Sequence, residues 1–144
     1  MRRRNDIDRL HEEIQELIDE LWQVPRFAGG RRGFRPQVDC IRSEDPPALH
    51  VVVELPGVEP SEIQVIAADR VLVVAGVRHP PLRGRYQQME IEYGPFQRRI
   101  PLDEPVDTST ATARYEHGIL TVVLPIAAKP PKVERVTIAI GGRA

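Results

Sequence analysis

The chain has 144 residues, of which 41% are hydrophobic and 28% are charged, and its formal net charge is −1. This length fits one domain and leaves little room for a two-domain enzyme. The balanced charge gives no basic excess that would attract nucleic acid or an acidic membrane, so we expect neither as a partner. A single cysteine excludes an internal disulfide and a multi-thiolate zinc site.

Residues 1–35 are predicted to form an N-terminal arm with an amphipathic helix over residues 6–23. Apolar residues recur there at spacings of three and four, which places them on one stripe of a helix. The helix is expected to end before Pro25, where a flexible Gly/Arg segment begins. A lone helix of this length is marginal in water, so its stripe needs a surface to bury against. The stripe consists of Ile7, Leu10, Ile14, Leu17 and Leu21.

Three surfaces are considered for this stripe. Packing on other copies of the chain is favoured over packing on its own domain, because Gly29 and Gly30 uncouple the helix from the rest of the chain. A membrane surface is the third, and the seven acidic residues of the arm argue against it. When released, the arm would present apolar side chains to unfolded proteins, namely Leu17, Leu21, Trp22 and Phe27.

The segment from residue 36 to residue 127 is predicted to contain seven short strands. Apolar and polar residues alternate in it, for example at Leu49, Val51 and Val53, and prolines fall mainly between the apolar runs. Strands at this spacing with no helix between them predict an all-β, antiparallel β-sandwich. The predicted strands are 36–42, 48–55, 62–68, 71–77, 91–100, 110–116 and 118–124.

A long connection interrupts this pattern between Arg78 and Glu90. A loop of about a dozen residues in a compact domain is usually functional. Within it, Tyr86–Met89 has the composition of a short strand of its own.

Residues 128–144 are predicted to form a C-terminal extension. A stiff linker around Pro130 precedes Ile138 and Ile140, which project from the same face of an extended strand. We expect these two isoleucines to dock in a groove of a neighbouring copy. The alternative is that they complete a strand of their own domain.

Five short motifs in this order resemble the small heat-shock protein, or α-crystallin domain, family in its non-metazoan form. The resemblance covers residues 36–127 and the tail, and it implies an immunoglobulin-like sandwich. It departs at His117, where the family usually has Asn or Asp, and at Ile126, where a basic residue is usual. The motifs are Pro36–Asp39, Val53–Ile63, Tyr93–Ile100, Ala113–Pro125 and Ile138–Ile140.

The resemblance implies a docking groove between the predicted strands 62–68 and 110–116. Ile138 and Ile140 are the docking motif, and Leu72 is a possible floor of the groove. A slip of one residue in the second strand would present Thr110, Thr112 and Arg114 in place of the alanines. The expected groove residues are Ile63, Val65, Ala111 and Ala113.

The resemblance also implies a dimer in which Tyr86–Met89 pairs with strand 36–42 of a partner. Arg98 would form an ion pair between subunits with Glu54, Asp103 or Glu116, the alternative being a solvated charge on an outward face. The expected interface residues are Val38, Tyr86, Met89 and Arg98.

The function implied by the resemblance is that of an ATP-independent holdase, which binds non-native proteins as a dynamic oligomer of dimers. The expected location is the cytoplasm, because the chain has one cysteine and its N-terminus lacks the apolar run of a secretory signal. No spacing of Ser, His or Asp indicates a catalytic site, and we expect no enzyme activity, metal or cofactor. The main alternative is a monomeric adaptor of the CS-domain co-chaperone type. An enzyme of unknown chemistry is the third possibility.

Overall fold

The computed structural model describes Glu12, residues 33–128 and residues 135–141. The predicted helix over 6–23, the Gly/Arg segment after it and the Pro130 linker lie outside these residues. Within the arm, Glu12 is helical and exposed.

The described chain consists of nine strands and one turn of 3₁₀ helix. The seven predicted sandwich strands are all present, with starts shifted by up to three residues, and the tail contributes two further short strands. The strands are β1 (Val38–Ser43), β2 (Ala48–Glu54), β3 (Ile63–Ala68), β4 (Val71–Arg78), β5 (Gly94–Pro101), β6 (Thr112–Glu116), β7 (Ile119–Pro125), β8 (Val136–Thr137) and β9 (Ile140–Gly141), and the 3₁₀ turn is Pro60–Glu62.

These strands form two sheets that pack face to face. One sheet has the order β1-β2-β7-β6-β9 and the other has the order β5-β4-β3-β8. Every pair among the described strands is antiparallel except β6 with β9, which is parallel. The predicted antiparallel β-sandwich is therefore confirmed.

The core between the sheets is aliphatic. In β2, Val51 and Val53 are fully buried while Glu54 is exposed, as expected for a strand with one face on the core. Burying a Val or Leu side chain contributes about 1.5–3 kcal/mol, so the stability of the fold comes mainly from these contacts. The largest fully buried side chains are Leu55, Leu72, Phe96, Leu120 and Leu124.

The two ends of the described chain close opposite sides of this sandwich. On the β5 side, the Phe34 ring packs edge-on against Phe96 with the ring centroids 5.8 Å apart. The Gln37 carbonyl accepts a hydrogen bond from the Glu54 amide of the other sheet at 3.0 Å. On the opposite side, β8 pairs with β3 and β9 pairs with β6. Both chain ends thus join one sheet to the other.

The β6–β7 hairpin turns through two residues with positive φ. His117 has φ 52° and Gly118 has φ 77°. Two-residue hairpins whose central residues both have positive φ favour Asn-Gly and Asp-Gly, because Asn and Asp tolerate the left-handed region better than other side chains do. His117 therefore carries a small conformational cost in a turn that otherwise suits the hairpin.

Replacing His117 by Asn is expected to raise the free energy of unfolding by about 0.5 kcal/mol, because Asn adopts positive φ more readily. Replacing it by Val is expected to lower the same quantity by about 1–2 kcal/mol. Denaturant unfolding measures both changes. The control is His79→Asn in the exposed loop after β4, which should change stability by less than about 0.5 kcal/mol, because its contact with Glu62 is exposed to solvent. Equal stability of the Asn and Val variants would contradict this account of the turn.

Candidate client and assembly sites

The predicted groove residues lie along β3 and just before or within β6. Ile63, Val65 and Ala113 are buried, and Ala111 is half-buried and packs against the core. In β6, Ala113 and Tyr115 point inward, whereas Thr112 and Arg114 are exposed. The register left open by the sequence is thus the one that turns the alanines toward the core.

The tail spans the gap between the two sheets. Ile138 is 6% exposed and belongs to the core cluster, and its amide donates a hydrogen bond of 2.8 Å to the Val65 carbonyl. Ile140 is half-buried and pairs with Ala113. Both isoleucines therefore lie against the strands that the sequence had assigned to the groove.

The tail of this chain occupies its own sandwich, whereas the sequence favoured a neighbouring copy as the acceptor. The described contacts correspond to the alternative, in which the two isoleucines complete their own domain. The geometry permits this because residues 128–135 can span about 23 Å when extended. A tethered segment also occupies a nearby site at a high effective concentration.

The loop between β4 and β5 exposes apolar side chains. Tyr86 is 48% exposed and Leu82 is 80% exposed, and Ile91 is exposed as well. Tyr86–Met89 was expected as a short strand, and in the single chain it is irregular. The physical reason is that a strand of this length needs a neighbouring strand to pair with, and the ladders between the described strands do not include these residues.

Among the described strands, β1 lies at one edge of its sheet. It pairs with β2 on one side, and four of its six residues are exposed. Val38 is half-buried and packs against the core, whereas Ile41 is 53% exposed. An exposed edge strand presents unpaired backbone groups to any strand that approaches it.

Arg98 lies on the core-facing side of β5, in line with the buried residues Phe96 and Ile100. Its Nη1 donates a hydrogen bond of 2.6 Å to the Pro36 carbonyl. Partial burial, and to a smaller extent the Arg35 cation, lower the pKa of Arg98. Among the described residues of this chain, Arg98 forms no ion pair with the three carboxylates that the sequence suggested, namely Glu54, Asp103 and Glu116.

Arg78 is buried, whereas Arg98 is only partly buried. Arg78 is not among the site residues predicted from the sequence. Its guanidinium lies 3.5 Å from the centroid of the Phe34 ring. Its Nε donates a hydrogen bond of 2.9 Å to the Glu92 carbonyl, and its Nη1 donates one of 3.3 Å to the Pro56 carbonyl. Burial lowers its pKa. Arg78 thus joins the N-terminal segment to the base of the exposed loop, and no motif in the sequence distinguishes it from other arginines.

The titratable residues do not form a metal-binding arrangement within the described part of the chain. No group of three or more His, Cys, Asp or Glu side chains there could hold a metal ion. The Cys40 side chain is exposed, and partial burial of its thiol together with the Asp103 carboxylate raises its pKa. In the same residues, no helix is long and apolar enough to cross a membrane.

Comparison with known proteins extends these observations. The model of the Hsp20/alpha crystallin family matches residues 41–140. The chain is 35% identical over 108 residues to the 19.0 kDa class II heat shock protein of Oryza sativa, covering 66% of this chain and 62% of that protein. It thus spans a little under two thirds of the length of that relative. It is also 35% identical to the 16.9 kDa class I heat shock protein 1 of Triticum aestivum, covering 81% and 82% of the two chains.

Solved structures agree with this result. Heat shock protein 16.0 from Schizosaccharomyces pombe superposes with a TM-score of 0.60 at 27% identity, covering 73% of this chain and 98% of that chain. A small heat-shock protein from Xylella fastidiosa gives a TM-score of 0.57 at 28% identity, covering 72% and 97%. The chain belongs to the Hsp20/alpha crystallin family of small heat-shock proteins. This membership places the chain in a family of chaperones.

Proposed function

We propose that this chain is an ATP-independent holdase of the cytoplasm, which binds non-native proteins through apolar surfaces that its own segments cover at rest. The observation that carries the proposal is the docked tail. Ile138 is buried in the groove, and the tail is held there by two strands, β8 and β9, of only two residues each. The groove is a ready-made site for an extended apolar segment of another chain. The clients are therefore proteins that expose such segments when they unfold.

The free energy gained by docking the tail is small enough for the tail to leave the groove reversibly. Burying two isoleucine side chains contributes at most about 3–6 kcal/mol before the cost of ordering the segment is subtracted. A segment held by this energy opens without unfolding the sandwich, because local opening costs less than global unfolding. An apolar segment of a client, or the tail of another copy, then competes for the vacated groove.

The exposed loop and the free edge of β1 support assembly into dimers. The loop carries Leu82, Tyr86 and Ile91 in exposed positions, and β1 offers unpaired backbone groups. Adding a strand from one copy to the edge of another would bury both surfaces and remove the aggregation hazard of an open edge. We therefore propose that Tyr86–Met89 pairs with β1 of a second copy, with Val38 and Arg98 near the contact. The Xylella fastidiosa relative is described as having a distinct high order structure, which supports assembly of such dimers into larger oligomers.

The holdase proposal predicts that the chain suppresses aggregation of a heat-unfolding protein without added nucleotide. Light scattering of the client is followed with and without the chain at equal subunit ratio, and the scattering is expected to fall severalfold. Adding ATP should change nothing, because the described residues show no nucleotide-binding motif. Unchanged scattering at equal subunit ratio would refute the proposal.

The dimer proposal predicts that Gln88→Pro lowers the mass of the assembly. Proline has no backbone N–H and cannot complete a strand ladder, whereas Gln88 lies in an irregular loop in which a ladder bond is not needed by the single chain. Light scattering coupled to size-exclusion chromatography measures the mass. The matched control is Arg83→Pro, in the same loop but outside the proposed strand, which should keep the parent mass. If the Gln88→Pro variant retains that mass and its melting temperature, strand exchange is not what joins the copies.

A further inference from the structure

The outer face of the β5-β4-β3-β8 sheet, which points away from the sandwich core, carries a patch of apolar side chains. Strand alternation turns Val73 away from its core-facing neighbours Leu72 and Val74. The ladder places Ile66 directly opposite Val73, and Ala68 opposite Val71, so all of them share the outer face. We call this set the outer patch, and it consists of Ile66, Ala68, Val71, Val73 and Ala75.

The outer patch is buried within the single chain. Its exposed fractions are 0% for Val73, 1% for Ala75, 2% for Ile66 and Ala68, and 3% for Val71. The outward residues around it are more open, since Gln64 and Val77 are half-buried and Arg99 is exposed. A solvated outer sheet face would leave valines partly exposed. The cover is therefore local and centred on the patch.

We propose that the N-terminal arm supplies this cover by packing the apolar stripe of residues 6–23 onto the outer patch of its own chain. The described strands lie within this sheet or on its core side, so they cannot cover its outer face. The other segments outside the described residues are short, and Val133 is their one large aliphatic side chain. Residues 129–134 connect Ala128 to Arg135, and residues 142–144 follow β9 in the opposite sheet.

The position at which the arm leaves the sandwich fits this placement. Gly33 lies so close to β5 that a Cβ added to it would be 1.8 Å from the Pro95 carbonyl oxygen. Strand β5 is the edge of the same sheet and neighbours β4, which carries three of the five patch residues. The arm therefore leaves beside the patch, and Glu12, which lies off the apolar stripe, is helical and exposed.

The dimensions also match. A helix over residues 6–23 would be about 27 Å long, and the eight residues of β4 extend about 26 Å. Residues 24–32 reach up to about 30 Å, whereas β3 lies about 10 Å from β5 across two strand spacings. The connection is long enough for the stripe to lie across β3 and β4.

This arrangement gives the arm two roles, and its client role rests on the proposed holdase function. While docked, the arm buries both its own stripe and the outer patch. When heat releases it, both apolar surfaces become available to a client at the same time. The docking itself is a property of the free chain and is tested without any client.

A double-mutant cycle on the full chain tests the docking. Val73 and Val74 are neighbours in β4 and both are 0% exposed, but they face opposite sides of the sheet. Val73→Ala and Val74→Ala should each lower the melting temperature by roughly 5–10 °C. In a chain that also carries Ile14→Ser and Leu17→Ser, the shift from Val73→Ala should fall below about 2 °C, because Val73 then already faces water. The shift from Val74→Ala should be unchanged. An undiminished shift from Val73→Ala would overturn the proposal.

A second measurement applies if the serine variants do not fold. In a Cys40→Ser chain, a nitroxide is attached at Arg99→Cys beside the patch or at Thr112→Cys on the outer face of the other sheet, both exposed positions. Quenching of Trp22, the single tryptophan, should be at least twofold stronger for the first label. Equal quenching by the two labels would overturn the docking.

Mixed assemblies show which copy supplies the arm. When labelled Trp22→Phe subunits are mixed with unlabelled Trp22 subunits, the quenching should disappear, because the arm covers its own chain. Persistent quenching would assign the cover to a neighbour and contradict the proposal. A failed holdase assay alongside a positive cycle would remove the client role and leave the docking standing.

Discussion

The packing of aliphatic side chains between the two sheets is the interaction on which the rest of the molecule depends. Val51, Val53, Leu120 and Leu124 from one sheet meet Leu72 and Val74 from the other, and all are fully buried. This packing uses one face of each sheet. It leaves the open sides of the sandwich, the β1 edge and the outer patch as surfaces that the core itself cannot cover.

The remaining segments act on these uncovered surfaces. The tail closes one side through β8 and β9, and residues 33–37 close the other through Phe34, Pro36 and Gln37. The buried cation of Arg78 joins that N-terminal segment to the loop that carries Tyr86. A chaperone needs apolar surface that is available under stress and hidden otherwise. Covers made of short, tethered segments meet this need, because each is held by a few kcal/mol while the core is held by many more.

Much of the sandwich could be predicted because period-two alternation and proline placement are local signals. Leu49, Val51 and Val53 indicate a strand without any knowledge of its partner, and the order of motifs gives the family. The tail acceptor could not be predicted, because Ile138 and Ile140 look the same whichever copy they dock on. Arg78 could not be identified, since its partners Phe34 and Glu92 are distant in sequence and its hydrogen bonds go to backbone carbonyls. The outer patch could not be predicted for a related reason. Strand β4 is apolar on both faces, and a continuous apolar run does not indicate which segment covers its second face.

The central claim is that the chain uncovers apolar surface before its sandwich unfolds, and amide hydrogen exchange measures this directly. The Ile138 amide, bonded to the Val65 carbonyl, reports on the tail, and the Val122 amide in the middle of β7 reports on the core. With rising temperature, we predict that Ile138 loses protection several degrees below the temperature at which Val122 does. Simultaneous loss of protection at both amides, at the melting temperature of the whole chain, would contradict the claim.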